Sequence, residues 1–354
     1  MGSEEGQVLV EEKQYVRNLV LNRPRQLNAL SFQMGKGRAF CAGGDVAAVV
    51  RDINEGKWKL GAEFFRKEFT LNYLIATYSK PQVSILNGIV MGGGAGASIH
   101  GRFRVVTETS VFAMPETALG LFPDVGASYF LSRLPGFLGE YCGLTGSRLD
   151  GAEMLASGLA THFVPSTRLS LLEEELYKVD SGDPVIISEV IGKYSQEPHL
   201  KDKSAFLRRD VIDKCFSQRT VEDILSALER EVIKKPDDWI SATIQTLRKA
   251  SPMSLKISLR SIREGRLQGV GQCLVREFRM VCHVMQGQVS KDFVEGCRAL
   301  LLDKDKNPKW KPSKLELISD DMVNQYFSKV DDEEWEDLKL PARSNLPVSA
   351  IAKL

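Results

Sequence analysis

Apolar residues in this chain follow two rhythms. As far as about residue 165 they fall in short runs bounded by glycine or proline, and beyond it they recur every three or four positions. Val8-Leu9-Val10 and the run Val16 to Leu21, separated by Glu11-Glu12-Lys13, predict a β-hairpin that ends at Asn22-Arg23-Pro24. Gln82 to Val90 and Phe103 to Thr107 predict strands, with a short helix between them that starts at the triple glycine Gly92-Gly93-Gly94. Val111 to Met114 predicts another extended run, stopped by Pro115-Glu116, and Pro123-Asp124-Val125-Gly126 turns the chain into a helix from about Ala127 to Leu134. Residues 59–78 place Leu60, Phe64, Leu71, Ile75 and Tyr78 on one helical stripe, with the acid Glu68 inside it. Repeated strand, glycine turn and helix units favour an α/β core.

The later rhythm predicts helices. Thr220 caps a segment with Val221, Ile224, Leu225, Leu228 and Val232 at helical spacing, and Ser251-Pro252 is a cap with proline at the first helical position. Leu274 to Met285 and Phe293 to Leu302 continue the pattern. Asp180-Ser181-Gly182-Asp183-Pro184 opens a soft boundary that runs to about residue 218, which divides the chain into a core over 1–215 and a helical region over 216–354. The charged stretch from Asp331 to Arg343 is expected to be loosely held.

Composition narrows the class. The 354 residues are 43% apolar and 26% charged, with 47 basic and 46 acidic side chains and a net charge of +1, so no global field argues for nucleic acid or a membrane surface. No apolar run approaches the ~18 residues of a membrane helix. Cys41, Cys142, Cys215, Cys273, Cys282 and Cys297 contain no CxxC pair, and the acidic N-terminus lacks a secretory signal, which suits free thiols in a reducing compartment. His100, His162, His199 and His283 show no metal-binding spacing, so no metal is expected. Ala352-Lys353-Leu354 stands close to the Ser-Lys-Leu peroxisomal address and predicts peroxisomal import through its receptor.

Backbone amides and carboxylates are then the available chemistry. The triple glycine and Phe40-Cys41-Ala42-Gly43-Gly44-Asp45 each suit close approach of backbone to a ligand, and together they offer two N–H donors to one oxygen; tight helix–sheet packing is the alternative reading of the triple glycine. Glu116 follows a proline at a strand end, a rigid place from which to aim a carboxylate, or else a helix N-terminal glutamate. Asp124 reads as a turn-forming residue or an acid in the site. Glu68 is costly in an apolar stripe unless it is paired, lines a cavity or sits at the helix edge. No P-loop and no GxSxG elbow occurs.

Asn22-Arg23-Pro24 with Leu27-Asn28-Ala29-Leu30, Phe40 to Asp45, Asn87-Gly88 with Gly92-Gly93-Gly94, and Pro115-Glu116 resemble the crotonase, or enoyl-CoA hydratase/isomerase, superfamily. Longer strings, Phe112 to Asp124, Leu144-Thr145-Gly146, Ala160 to Val164, Lys291 to Gly296 and Pro308-Lys309-Trp310, resemble its acyl-CoA hydrolase branch over nearly the whole chain. The resemblance implies a crotonase-type spiral of ββα units with a helical C-terminal region. It implies that the N–H groups of Gly44 and Gly93 form an oxyanion hole for a thioester, that Glu116 and Asp124 are the catalytic acids, and that Glu68 also contacts substrate. Glu116 would act either as nucleophile or as general base.

The implied reaction is hydrolysis of a short β-hydroxyacyl-CoA, 3-hydroxyisobutyryl-CoA or 3-hydroxypropionyl-CoA, in valine breakdown. It needs no metal or redox cofactor, since CoA is part of the substrate; a homo-oligomer is a further expectation. Hydratases of the superfamily carry a glutamate where this chain has Gly96, which disfavours water addition to a double bond. Against the family pattern about one helix and one strand are absent between Asn28-Ala29-Leu30 and Phe40, where Met34 runs straight into Gly35-Lys36-Gly37-Arg38. That loss is expected to open sheet edges and cost stability. An enoyl-CoA hydratase or isomerase, and a catalytically silent variant, are the rival readings.

Overall fold

A turn at Asn87-Gly88, with Gly88 at φ 99°, splits the apolar run expected as one strand into two that belong to different sheets. The computed structural model describes residues 8–12, 16–22, 28, 39–41, 43, 44 and 46–343. Two units of dense internal contact alternate along the chain.

The first unit comprises residues 39–45, 74–113 and 148–207 with the N-terminal hairpin, and it contains every described strand. Strands β1 (Val8–Glu12) and β2 (Arg17–Leu21) pair antiparallel, with Val8 opposite Leu21 and Val10 opposite Leu19, as the hairpin reading predicted. A four-stranded sheet runs in the order β3 (Ala39–Cys41), β5 (Ile89–Met91), β7 (Val111–Ala113) and β8 (Leu149–Asp150). A three-stranded sheet runs β4 (Val83–Leu86), β6 (Phe103–Val106) and β9 (His162–Phe163), all parallel. Helix α3 (Gly93–Gly96) follows β5, and α6 (Gly151–Ser157) follows β8 with a full capping box from Asp150 and Glu153. Helices α7 (Leu169–Lys178) and α8 (Pro184–Gly192) supply Leu172, Ile187 and Ile191 to a core with Phe103, Val105 and Val164.

The hairpin is a sheet of two strands with no further strand paired to it among the described residues, and Val10 and Leu19 are 55% and 63% exposed. Two-stranded sheets are marginal by themselves in water. The shortened segment after Met34 lies outside the described residues, as does Ala352-Lys353-Leu354.

The second unit is helical: α1 (Val46–Asn54), α2 (Trp58–Ala76, as far as Tyr73), α4 (Ala127–Leu131), α5 (Leu138–Thr145), α9 (Arg209–Phe216), α10 (Val221–Lys234), α11 (Asp238–Lys249), α12 (Pro252–Gly265), α13 (Val270–Gln286), α14 (Asp292–Cys297) and α15 (Asp320–Phe327). Thr220 and Ser251 cap α10 and α12 by accepting from the amides of Asp223 and Ser254, as their sequences predicted.

Two expectations are corrected here. The buried face of α2 is Gly61, Ala62, Phe65, Glu68, Phe69, Asn72 and Tyr73, whereas Leu60, Leu71 and Tyr78 are exposed. Small and polar residues occupy much of the inward face, so counting large apolar side chains picked the wrong stripe. The charged tail is docked, because Trp335 stacks on Phe278 with centroids 6.3 Å apart, Arg279 binds Asp337 at 2.6 Å, and Leu338 is buried.

Candidate active site

Glu116, Asp124 and Glu68 come together inside the second unit, each from a different element. Glu116 begins a 3-10 turn, Glu116–Leu119, directly after Pro115. The turn is pinned at its next residue: the Thr117 hydroxyl donates to the Leu144 carbonyl at 3.0 Å, and the Ser251 amide donates to the Thr117 carbonyl at 3.1 Å. It closes at Gly120, where φ is 75° and a Cβ would stand 2.2 Å from the Asp292 backbone, so only glycine fits. Asp124 lies in the turn before α4. The next two residues, Val125 and Gly126, both hold positive φ, 55° and 81°. A β-branched residue in that region is strained. Glu68 faces inward from the middle of α2.

All three carboxyls are buried, at 7%, 5% and 4% exposure for Glu68, Glu116 and Asp124. Burial pushes Glu68 up to about 8. It does the same for Glu116, with the Glu68 charge adding to the rise and the glutamate's own amide opposing it. Asp124 rises well above its ordinary value through burial first, then through the charges of Glu68, Glu116 and Glu277. Like charges in a buried site cannot all ionise, so the three share protons and titrate as a group. Glu68 Oε1, Glu116 Oε2 and, one helical turn beyond Glu68, Asn72 Oδ1 are buried with no hydrogen-bond partner among the described residues. Unsatisfied buried acceptors cost roughly 1–3 kcal/mol each, and a cluster of them marks a place that spends stability on function.

Gly44 and Gly93 belong to the first unit. Gly93 is the first residue of α3, so its N–H has no acceptor within the helix. Gly43, at φ 103°, brings the strand end to this turn: a Cβ there would stand 3.9 Å from the Gly93 nitrogen. Gly94 meets the Cys41 carbonyl directly, and Gly44 forms an isolated β-bridge three residues beyond Cys41. The two glycine turns singled out in the sequence are therefore neighbours. Asn28 supports the same turn, donating to the Phe40 carbonyl at 3.1 Å.

Two acidic or amide residues of this region escaped the sequence reading. Asn72 was hidden because its helical stripe was misassigned. Glu277, fully buried in α13, accepts from the amides of Gly126 and Ser128 at 2.6 and 2.9 Å. Its signal was available: it falls one turn after Cys273 and beside Phe278, an acid on an apolar face as Glu68 is.

A family model described as enoyl-CoA hydratase/isomerase matches residues 34–327. The chain is 68% identical to 3-hydroxyisobutyryl-CoA hydrolase 1 of Arabidopsis thaliana, over 99% of this chain and 98% of that protein. It is 65% identical to probable 3-hydroxyisobutyryl-CoA hydrolase 3 of the same plant, over 98% of each. The first match spans 373 positions against the 354 residues here, so at least 19 positions of that relative have no counterpart in this chain. Among solved structures, a carnitinyl-CoA dehydratase from Mycobacterium thermoresistibile superposes with a TM-score of 0.85 at 32% identity, covering 95% of this chain and 99% of that one.

Proposed function

The chain belongs to the enoyl-CoA hydratase/isomerase family, and from that premise we propose that it hydrolyses the thioester of 3-hydroxyisobutyryl-CoA to the free acid and CoA. The observation that carries the chemistry is the buried trio Glu68, Glu116 and Asp124, with an oxygen of Glu68 and of Glu116 left unpaired among the described residues and all three proton affinities raised by burial. In the proposed reaction the N–H groups of Gly44 and Gly93 take the negative charge that develops on the thioester oxygen, each such donor being worth roughly 2.7–4 kcal/mol. Ionised Glu116 supplies the carboxylate, as nucleophile or as base for water. On the nucleophile route the Glu116–acyl C–O bond forms as the C–S bond breaks, and water then hydrolyses the mixed anhydride to the acid and returns Glu116. On the base route water forms the new C–O bond directly while Glu116 takes its proton, and on either route the proton released by water neutralises the departing thiolate of CoA.

Asp124 and Glu68 are assigned the β-hydroxyl of the substrate, which a carboxylate recognises as a hydrogen-bond donor. 3-Hydroxypropionyl-CoA carries the same hydroxyl and falls in the same substrate class. A place in valine breakdown and delivery to peroxisomes through Ala352-Lys353-Leu354 extend this proposal. Both draw on the substrate and on the tripeptide rather than on the site.

The test is release of free CoA from 3-hydroxyisobutyryl-CoA by the purified chain. Release that is lost in Glu116→Gln supports hydrolysis, whereas loss of an enoyl-CoA chromophore without thiol release would establish a hydratase. A folded chain that releases no thiol at high enzyme concentration would establish the silent variant.

A further inference from the structure

We propose that Glu277 is a positioning residue for the reaction, a carboxylate from the middle of α13 that closes the N-terminus of α4 and so holds Asp124 in the carboxyl cluster. The inference rests on the hydrolase reading of Asp124 and deepens it.

Helix α4 has five residues, too few to hold its own shape, and no side chain of its own turn caps it. The two residues that lead into it, Val125 and Gly126, are both left-handed, a conformation that strains a non-glycine residue. Something outside the turn must stabilise it. Glu277 does so with both oxygens: one accepts from the Gly126 amide at 2.6 Å, the other from the Ser128 amide at 2.9 Å and the Ser128 hydroxyl at 2.5 Å. A carboxylate at a helix N-terminus meets the exposed amides and the positive end of the helix dipole. Arg276 steadies the far side of the arrangement, donating to the Ser128 hydroxyl at 2.9 Å and to the Ser261 carbonyl at 2.8 Å. The Asp124 carbonyl in turn accepts from the Ala127 amide at 2.8 Å, so the segment from 124 to 128 is tied at both ends.

Glu277 also acts through charge. The groups that face Asp124 are Glu68 from α2, Glu116 from the 3-10 turn and Glu277 from α13, and each raises its proton affinity. Arg276 is the cation that opposes the rise at Glu277 itself, and Cys273 lies one turn away. Removing the Glu277 charge therefore lowers the proton affinity of Asp124.

Glu277→Gln keeps the volume, removes the charge and turns an amide group toward an N–H donor. The expected result is a kcat reduced by about tenfold or more, with KM for 3-hydroxyisobutyryl-CoA little changed. The group ionisation of the coupled carboxyls Glu68, Glu116 and Asp124, and with it the acid limb of the kcat/KM profile, moves to lower pH. Ser128→Ala removes one donor and leaves the charge, so it lowers kcat without moving the profile. A residue with a merely structural role would lower the melting temperature and leave the pH profile in place; that result, or wild-type kcat in Glu277→Gln, overturns the proposal. If Glu277→Gln does not fold, Ser128→Ala decides: reduced kcat at constant KM supports the assignment, and unchanged kcat removes it. If the wild-type chain releases no CoA, the hydrolase reading fails on its own. Positioning is then read from amide hydrogen exchange at residues 125–128 of the free protein, which must quicken in Glu277→Gln and must not if Glu277 is idle.

Discussion

Gly94 and Cys41 meet with no side chain between them: a Cβ on Gly94 would stand 2.2 Å from the Cys41 carbonyl oxygen and 2.8 Å from the Cys41 Cβ. Gly94 is thus the contact that seats α3 against the end of β3, directly beside Gly93, the proposed amide donor. The contact does not tolerate a methyl group at 94, since backbone has no room to give. Gly94→Ala is expected to lower the melting temperature by several degrees and to cut kcat by at least about tenfold, the scale on which displaced oxyanion donors act. Thermal melting and CoA release on the same sample check both effects. Wild-type values for both would show that the two turns do not depend on this contact.

In the proposed reaction, ionisation of Glu116 within the coupled carboxyl cluster sets the acid limb of activity. A carboxylate is needed either to attack or to activate water, while burial and the Glu68 charge hold Glu116 up to about 8. The ionised fraction therefore grows as pH rises through neutrality, and kcat/KM is expected to climb between about pH 6 and 8 instead of saturating near pH 5 as an ordinary glutamate would allow. Glu116→Gln should lose roughly 10²–10⁴-fold in kcat. A profile flat down to pH 5 would remove Glu116 as the group that must ionise.

Much of the site could be read from the chain because its signals are local. Glycine runs, a proline before Glu116 and an acid in an apolar stripe are each visible within a few residues, and the hairpin and the caps at Thr220 and Ser251 follow equally local rules. What escaped was set by partners distant in sequence. Glu277 is defined by amides about 150 residues away. The inward face of α2 contains Gly61, Ala62 and Asn72 because of what packs on it, and Gly61 lies 3.1 Å from a Val49 methyl and 3.2 Å from the Met285 sulfur when given a Cβ. Charge alone made the tail look loose, yet Trp335 is an anchor that composition cannot distinguish from an exposed aromatic.

The carboxyl cluster should also make stability fall as pH rises. Glu68 and Glu116 hold protons in the folded state up to about 8, against an ordinary value of 4.5, so the folded protein binds more protons than the unfolded chain between those values. Stability then decreases with pH across that window, the reverse of a salt-bridged carboxylate. Glu68→Gln, neutral at every pH, is expected to melt close to wild type at pH 5 and several degrees above it at pH 8.5. A gap that does not widen with pH would show that Glu68 is ionised and compensated in the fold.

Trp335 offers a test of the docked tail. Its ring stacks on Phe278 and packs edge-on to Trp58 at 5.0 Å, the Arg66 guanidinium lies 4.7 Å from its centroid, and its indole N–H points at the Cys282 sulfur, 3.3 Å away. Arg66 also donates to the carbonyls of Glu336 and Asp337, so one arginine on α2 binds ring and backbone together. Burial pushes the Cys282 thiol up to about 12, which leaves it almost wholly protonated and unreactive at neutral pH. Trp335→Ala removes the cover and the stacking partner at once. It is expected to cost about 1–3 kcal/mol and to raise the rate at which Cys282 reacts with a thiol reagent under native conditions, read by mass spectrometry against the equally buried Cys142 as internal control. Labelling of Cys282 that stays as slow as that of Cys142 would mean that α13 is shielded by something other than the tail.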